Sequence, residues 1–269
     1  MLLHDTTLIK SNILSTLEMF YVVFFTTVSF MSGFGSLCSN CLCLQWGNMA
    51  VNSNNFARAV IVDHLIALSA KCGIKSQTLF YCVDLLDAFS SSETVSPDHL
   101  QLLFYASMDI ALKFDNQESL SHRRFLTTIS TLFPPRLMHI AECKILNVLA
   151  GKLIFPNGPE LLQDRGLNGF TYLSSLYFLE SVLPFSHIQQ FPITERVDCS
   201  VWLSCKIFKS PDYDKCESIN KQCAEYMLAV VAHSQYAGCE FKAARYKFAC
   251  ESCQNISIEV GEQLKGLTN

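Results

Sequence analysis

Four charged residues stand inside segments that otherwise read as helix core, and their spacing repeats. Arg58 lies in NFARAVIVDHLIAL, Asp87 in TLFYCVDLLDAFSS, Lys113 in LQLLFYASMDIALKFD and Glu142 in LMHIAECKILNVLAGKL. Arg58 to Asp87 is 29 positions, and Lys113 to Glu142 is 29 again. A charge leaves water only when a partner compensates it. The pattern therefore predicts two salt bridges, or one bridge and one binding site.

The segments around these charges read as helices. Apolar residues at 56, 60, 61, 62, 65, 66 and 68 give a helical period over 55–71, with Gly73 placed as a C-cap. Ser76 precedes a second helix over about 77–91, and Ser96-Pro97-Asp98 reads as an N-cap with proline at the first helical position. The stretch 97–114 is apolar almost all round, which predicts a central helix packed on several sides. Ser121 is placed to cap a short helix to about 131, and Pro134-Pro135 opens a fifth that ends near Gly151.

Phe155-Pro156-Asn157-Gly158-Pro159 marks a boundary. Beyond it helices are predicted at about 167–183, 192–208 and 217–236, with a short one near 240–250. β-Branched alternation is rare, so the predicted class is all-α. The division expected is an apolar flank of uncertain structure over 1–50, one helical domain over 51–156, a second over 157–258, and a tail over 259–269.

Several function classes fall away. The net charge of −4 gives no basic footprint for nucleic acid. There is no glycine-rich phosphate loop, H-E-x-x-H or G-x-S-x-G, so neither an enzyme nor a cofactor is expected. The 13 cysteines are odd in number and scattered, which fits free thiols in a reducing compartment. Cys38-x-x-Cys41 and Cys250-x-x-Cys253 have the spacing of thiolate pairs, but at opposite ends of the chain and without knuckle glycines, so no metal is expected.

Residues 19–57 carry no charge, and 19–37 is barely long enough for a membrane span. Three readings stay open for it: a buried packing helix, a membrane anchor or uncleaved signal, and a segment that does not fold well.

The local sequences also resemble the cyclin family. ArgAlaValIleValAspHisLeu at 58–65 is similar to the first box helix of A- and B-type cyclins, which carries V-D-W-L. ValAspLeuLeuAspAlaPhe at 83–89 is similar to a second helix ending L-D-R-F. LeuGln at 100–101 with AlaLeuLysPhe at 111–114 resembles L-Q and A-S-K-F, and AlaGluCysLysIleLeuAsnValLeu at 141–149 resembles M-E-x-x-I-L-x-x-L. The likeness is good over about 55–160 and weaker to about 258, where AlaAlaArgTyrLysPhe at 243–248 resembles the segment that follows the second fold.

The resemblance implies the cyclin fold, two helical domains of about five helices each, the second degenerate. It assigns Arg58 and Asp87 to a structural bridge. It puts Lys113 and Glu142 against the regulatory helix of a cyclin-dependent protein kinase, with Ile110, Phe114 and Leu153 beside them. It also implies nuclear or cytoplasmic localisation and kinase substrates as further partners. The family's substrate-docking groove falls on Val60, Ile61, His64 and Gln101. There the usual tryptophan has become His64 and a nearby acidic residue Ala67, so docking of arginine–leucine motifs is expected to be weak. Gly151 stands where an aromatic faces the kinase, and Asp109 is unexpected on the central helix. Alternatives are a cyclin-fold adaptor that binds no kinase, and a membrane-tethered helical interaction protein led by 19–37.

Overall fold

Glycine stops the first helix where its sequence pattern ends. Gly73 takes φ +71°. Its N–H donates to the Ala70 carbonyl at 3.3 Å and the Ile74 N–H to the Ser69 carbonyl at 2.8 Å. That paired closure needs the left-handed conformation that glycine adopts without a Cβ clash. The computed structural model describes residues 53–115, 120–216, 219–236 and 239–267. The run 19–37 and the cysteines before Met49 lie outside the described residues.

Five helices come first: α1 (Ser53–Cys72), α2 (Ser76–Ser92), α3 (Pro97–Phe114), α4 (Leu120–Ile129) and α5 (Pro135–Leu149). The central one is α3, packed by α1, α2, α4 and α5. Leu103, Phe104, Tyr105, Ala106, Met108, Ala111 and Leu112 are all buried on it. Each large apolar side chain so enclosed contributes about 1.5–3 kcal/mol, and this continuous burial makes α3 the axis of the first half.

The stretch predicted as a boundary is irregular through Asn157 and enters a helix at Gly158. Pro159 sits in the first turn of α6 (Gly158–Asp164), and Asn157 Nδ2 donates to the Gln77 carbonyl at 2.9 Å. Five more helices follow: α7 (Gly169–Val182), α8 (Ile193–Phe208), α9 (Lys221–Ser234), α10 (Ala243–Lys247) and α11 (Ile256–Leu267). Here α7 is central, buried without a break from Ser174 to Val182 and packed by α8, α9, α10 and α11. The second set is the thinner one: α10 has five residues, and only a 3-10 turn, Asp212–Lys215, fills the space before α9.

The described part of the expected tail, through Leu267, is helical. Ile256 and Val260 are fully buried and anchor α11, and Ser257 Oγ donates to the Arg245 carbonyl at 2.7 Å. Residues 53–267 fall within one compact unit, because α10 packs on α1 and α6 packs on α2. Among the described residues there is no strand, and no helix is long and apolar enough to cross a membrane.

Candidate functional site

The last turn of α3 and the second turn of α5 bring a lysine and three titratable partners together. Lys113 Nζ lies 2.5 Å from Glu142 Oε1 and 3.0 Å from Asp109 Oδ2. His122 Nε2 is 2.6 Å from Asp109 Oδ1, and His139 Nδ1 is 3.8 Å from Glu142 Oε2. The ammonium end is open, with 52% of the Lys113 side chain exposed against 10% for Glu142 and 7% for Asp109.

Burial, and then the neighbouring Asp109, pushes the Glu142 carboxyl up to about 7. Burial works against ionisation of Asp109 too, but hydrogen bonds with Glu142, His122 and Lys113 outweigh it and hold Asp109 below its ordinary value. The two carboxyls thus share a proton near neutrality, the one on Glu142, under a lysine that spans both.

Apolar side chains flank this cluster. Phe114 is 56% exposed and stacks on Tyr81, ring centroids 4.9 Å apart. Tyr81 Oη donates to the Leu153 carbonyl at 2.6 Å, which fixes the strand of chain leaving α5. Ile154 next to it is 91% exposed, and Leu146 on α5 is exposed as well. Leu153 is half-buried, whereas Ile110 is packed into the core at 6% exposure, because its position on α3 points inward. Of the five residues expected on this face, Lys113 and Phe114 are exposed, Leu153 is half-buried, and Glu142 and Ile110 are buried. Asp109, Leu146 and Ile154 were not among them. Asp109 alone left a signal, as a charge on an apolar helix.

The other expected pair meets as well. Arg58 Nε donates to Asp87 Oδ1 at 2.8 Å and Nη2 to Oδ2 at 2.7 Å, a two-point fork. Arg58 Nη1 then reaches the carbonyls of Leu183, at 3.2 Å, and Pro184, at 2.8 Å, beyond α7. The groove residues sit on α1 and α3. Ile61 is buried, Val60 and Gln101 are half-buried, and His64 is exposed with its ring edge-on to Tyr105 at 6.3 Å. Gln101 Nε2 donates to Tyr105 Oη at 3.3 Å. Crowding by the surrounding side chains lowers the His64 pKa, so the ring is neutral near pH 7.

A buried ion pair outside those expected joins α10 to α7. Lys247 Nζ lies 2.9 and 2.8 Å from the two oxygens of Glu180, which is completely buried in α7. Ser76 Oγ at the start of α2 donates to the same carboxylate. The segment AlaAlaArgTyrLysPhe is thereby tied to both halves, and Asp63 on α1 holds its start by accepting the Ala243 N–H at 3.0 Å. Among the described residues no group of three ligating side chains is spaced to hold a metal ion.

A sequence model described as the N-terminal domain of cyclins matches residues 43–154, which takes in all of α1–α5 with their four spaced charges. Residues 43–154 thus carry a cyclin N-terminal domain. The eleven α-helices of the described residues, arranged about α3 and α7, form the all-α cyclin fold. The G2/mitotic-specific cyclin-B of Emericella nidulans is 32% identical over 106 residues, 39% of this chain and 22% of that protein. The G2/mitotic-specific cyclin-B of Marthasterias glacialis is 23% identical over 214 residues, 74% of this chain and 54% of that protein. Cyclin-A1 of Carassius auratus is 29% identical over 147 residues, 51% of this chain and 37% of that protein. The matches thus span only part of the length of these relatives. What the assembled face offers is recognition: a lysine donor, a carboxyl pair and exposed apolar side chains suit a peptide backbone with apolar side chains beside it.

Proposed function

We propose that this chain is the regulatory subunit of a cyclin-dependent protein kinase, acting in cell-cycle control in the nucleus or cytoplasm. In this reading it docks the kinase's regulatory helix on the face around Lys113 and Glu142. The observation that carries it is the open Lys113–Glu142 pair with exposed Phe114 and Ile154 beside it. Exposed apolar groups around a defined polar pair are what a specific protein interface uses. The relatives' names, G2/mitotic-specific cyclins, support the setting. The role is regulatory: the chain positions a partner's helix and contributes no reacting group.

Substrate docking is the weaker half of the proposal. His64 offers no large aromatic anchor at the groove, so substrates are selected mainly by the bound kinase. Affinity purification of the tagged chain, followed by identification of co-purifying protein kinases, tests the reading. A kinase recovered in near-stoichiometric amount supports it, and its absence from cells that express such kinases contradicts it.

A further inference from the structure

The pair Cys250-x-x-Cys253 is left unused by the docking face, and the fold brings its two thiols together at the surface. Glu251–Cys253 is a single 3-10 turn between α10 and α11. The Cys253 N–H donates to the Cys250 carbonyl at 3.0 Å. A closure of that kind holds the two Cα atoms within about 7 Å, and a disulfide bridges Cα atoms roughly 4.4–6.8 Å apart.

The two sulfurs differ in the way that dithiol chemistry needs. Cys250 is exposed, with Ser252 Oγ 3.1 Å from its Sγ. The Ser252 hydroxyl first, and the Cys253 groups after it, hold the Cys250 thiol below its ordinary pKa. In the neutral form that thiol donates to the Lys247 carbonyl at 3.2 Å. Cys253 is half-buried, and burial, then Cys250, pushes it up to about 11. An exposed sulfur that ionises readily beside a second thiol is the arrangement of a peroxide-sensitive pair.

We propose that Cys250 and Cys253 are a redox site, converted by hydrogen peroxide into a reversible intramolecular disulfide. The Cys250 thiolate attacks one peroxide oxygen, the O–O bond breaks, and hydroxide leaves, taking up a proton to become water. The product is the sulfenic acid of Cys250. The Cys253 sulfur then attacks the Cys250 sulfur, the S–O bond breaks, and the hydroxyl departs as water with the Cys253 proton. Two thiols and one peroxide give one disulfide and two waters, and a thiol reductant reverses the bond. Cys250 stands three positions after Lys247, so the disulfide closes the chain near the tie between α10 and α7.

The test treats the reduced full chain with hydrogen peroxide, blocks the remaining thiols with N-ethylmaleimide, and maps the peptides by mass spectrometry. The peptide holding Cys250 and Cys253 loses both labels and is two hydrogens lighter, and dithiothreitol restores labelling. Cys143, exposed on α5, keeps its label at the same dose. In Cys253→Ser, with its helical circular dichroism intact, dimedone captures the sulfenic acid on Cys250. The proposal is overturned if both cysteines stay labelled once Cys143 has been oxidised. It is also overturned if Cys250 goes to the sulfinic acid unpaired, if it pairs with another cysteine, or if the variant yields no dimedone adduct.

Discussion

The Arg58 guanidinium grips the Asp87 carboxylate at two points, 2.8 and 2.7 Å, and spends its remaining nitrogen on the carbonyls of Leu183 and Pro184. One side chain therefore joins α1 to α2 and both to the corner after α7. Removing it takes the cation from a partly buried Asp87, which keeps the Gln189 amide as a donor, and leaves two carbonyls without theirs.

Arg58→Ala is expected to lower the unfolding free energy by about 3–5 kcal/mol, read from urea denaturation. Arg58→Lys keeps the charge but not the fork, and is expected to restore only part of the loss. An alanine variant as stable as the parent would mean that the site relaxes around the missing group.

Lys247 and Glu180 make a sharper case, because Glu180 is completely buried. Lys247→Ala leaves that carboxylate without its cation and is expected to cost about 3–5 kcal/mol. Lys247→Met combined with Glu180→Leu removes both charges, and most of the stability is expected to return. A double variant no better than the single one contradicts a charge-pairing role for Lys247.

Much of this was legible in the sequence, for physical reasons that differ by element. Period and punctuation located the helices: α3 begins and ends where its proline and its last apolar residue put it, and Gly73 closes α1. The 29-residue spacings pointed at two pairs, and both pairs are in contact. The same logic of a charge in an apolar run applied to Glu180, within TyrPheLeuGluSerVal, but its partner lies 67 positions away and no local pattern links them. The serines misled for a related reason. Ser121 is placed as a cap, yet its Oγ donates to the Gly73 carbonyl at 2.8 Å, and the Oγ of Ser76, at the start of α2, bonds Glu180. A hydroxyl next to a helix start serves whichever acceptor the tertiary fold brings closest. Asp109 had no account until His122 and Lys113 were seen on its two oxygens. The tail became α11 because two apolar positions, Ile256 and Val260, find a core that the sequence pattern near the end does not advertise.

A pH dependence follows from Asp84. It lines a cavity of about 190 Å³ with Arg58, Asp87, Gln189 and Arg196. Burial, and then Asp87, pushes its carboxyl from 3.8 up to about 7, against the pull of Arg196 and Arg58. The folded chain thus keeps a proton that the unfolded chain gives up near 3.8. Its contribution to stability is full below that value, declines as pH rises, and is gone above about 7. Asp84→Asn is expected to flatten this decline. Urea midpoints measured at about pH 5 and about pH 7.5 should fall further for the parent than for the variant, and equal falls would assign the dependence elsewhere.

The groove prediction concerns His64. A neutral, exposed imidazole on Tyr105 gives less apolar contact than an indole, and Ala67 supplies no charge for an arginine. Fluorescence titration with an arginine–leucine docking peptide is expected to show little binding at micromolar concentration, and His64→Trp to strengthen it. Tight binding by the parent would show that other residues of the groove suffice.

Kinase docking through Lys113 and Glu142 is the central claim, and exchanging the two residues tests it most directly. Lys113→Glu with Glu142→Lys keeps an ion pair between α3 and α5 and leaves Asp109 beside a lysine, while it reverses the polarity offered to a partner. Co-purification of a protein kinase with the tagged double variant, normalised to the parent, is the measurement. The account predicts loss of the kinase while the helical circular dichroism and the unfolding midpoint stay close to the parent's. Undiminished kinase recovery from the folded double variant would contradict it.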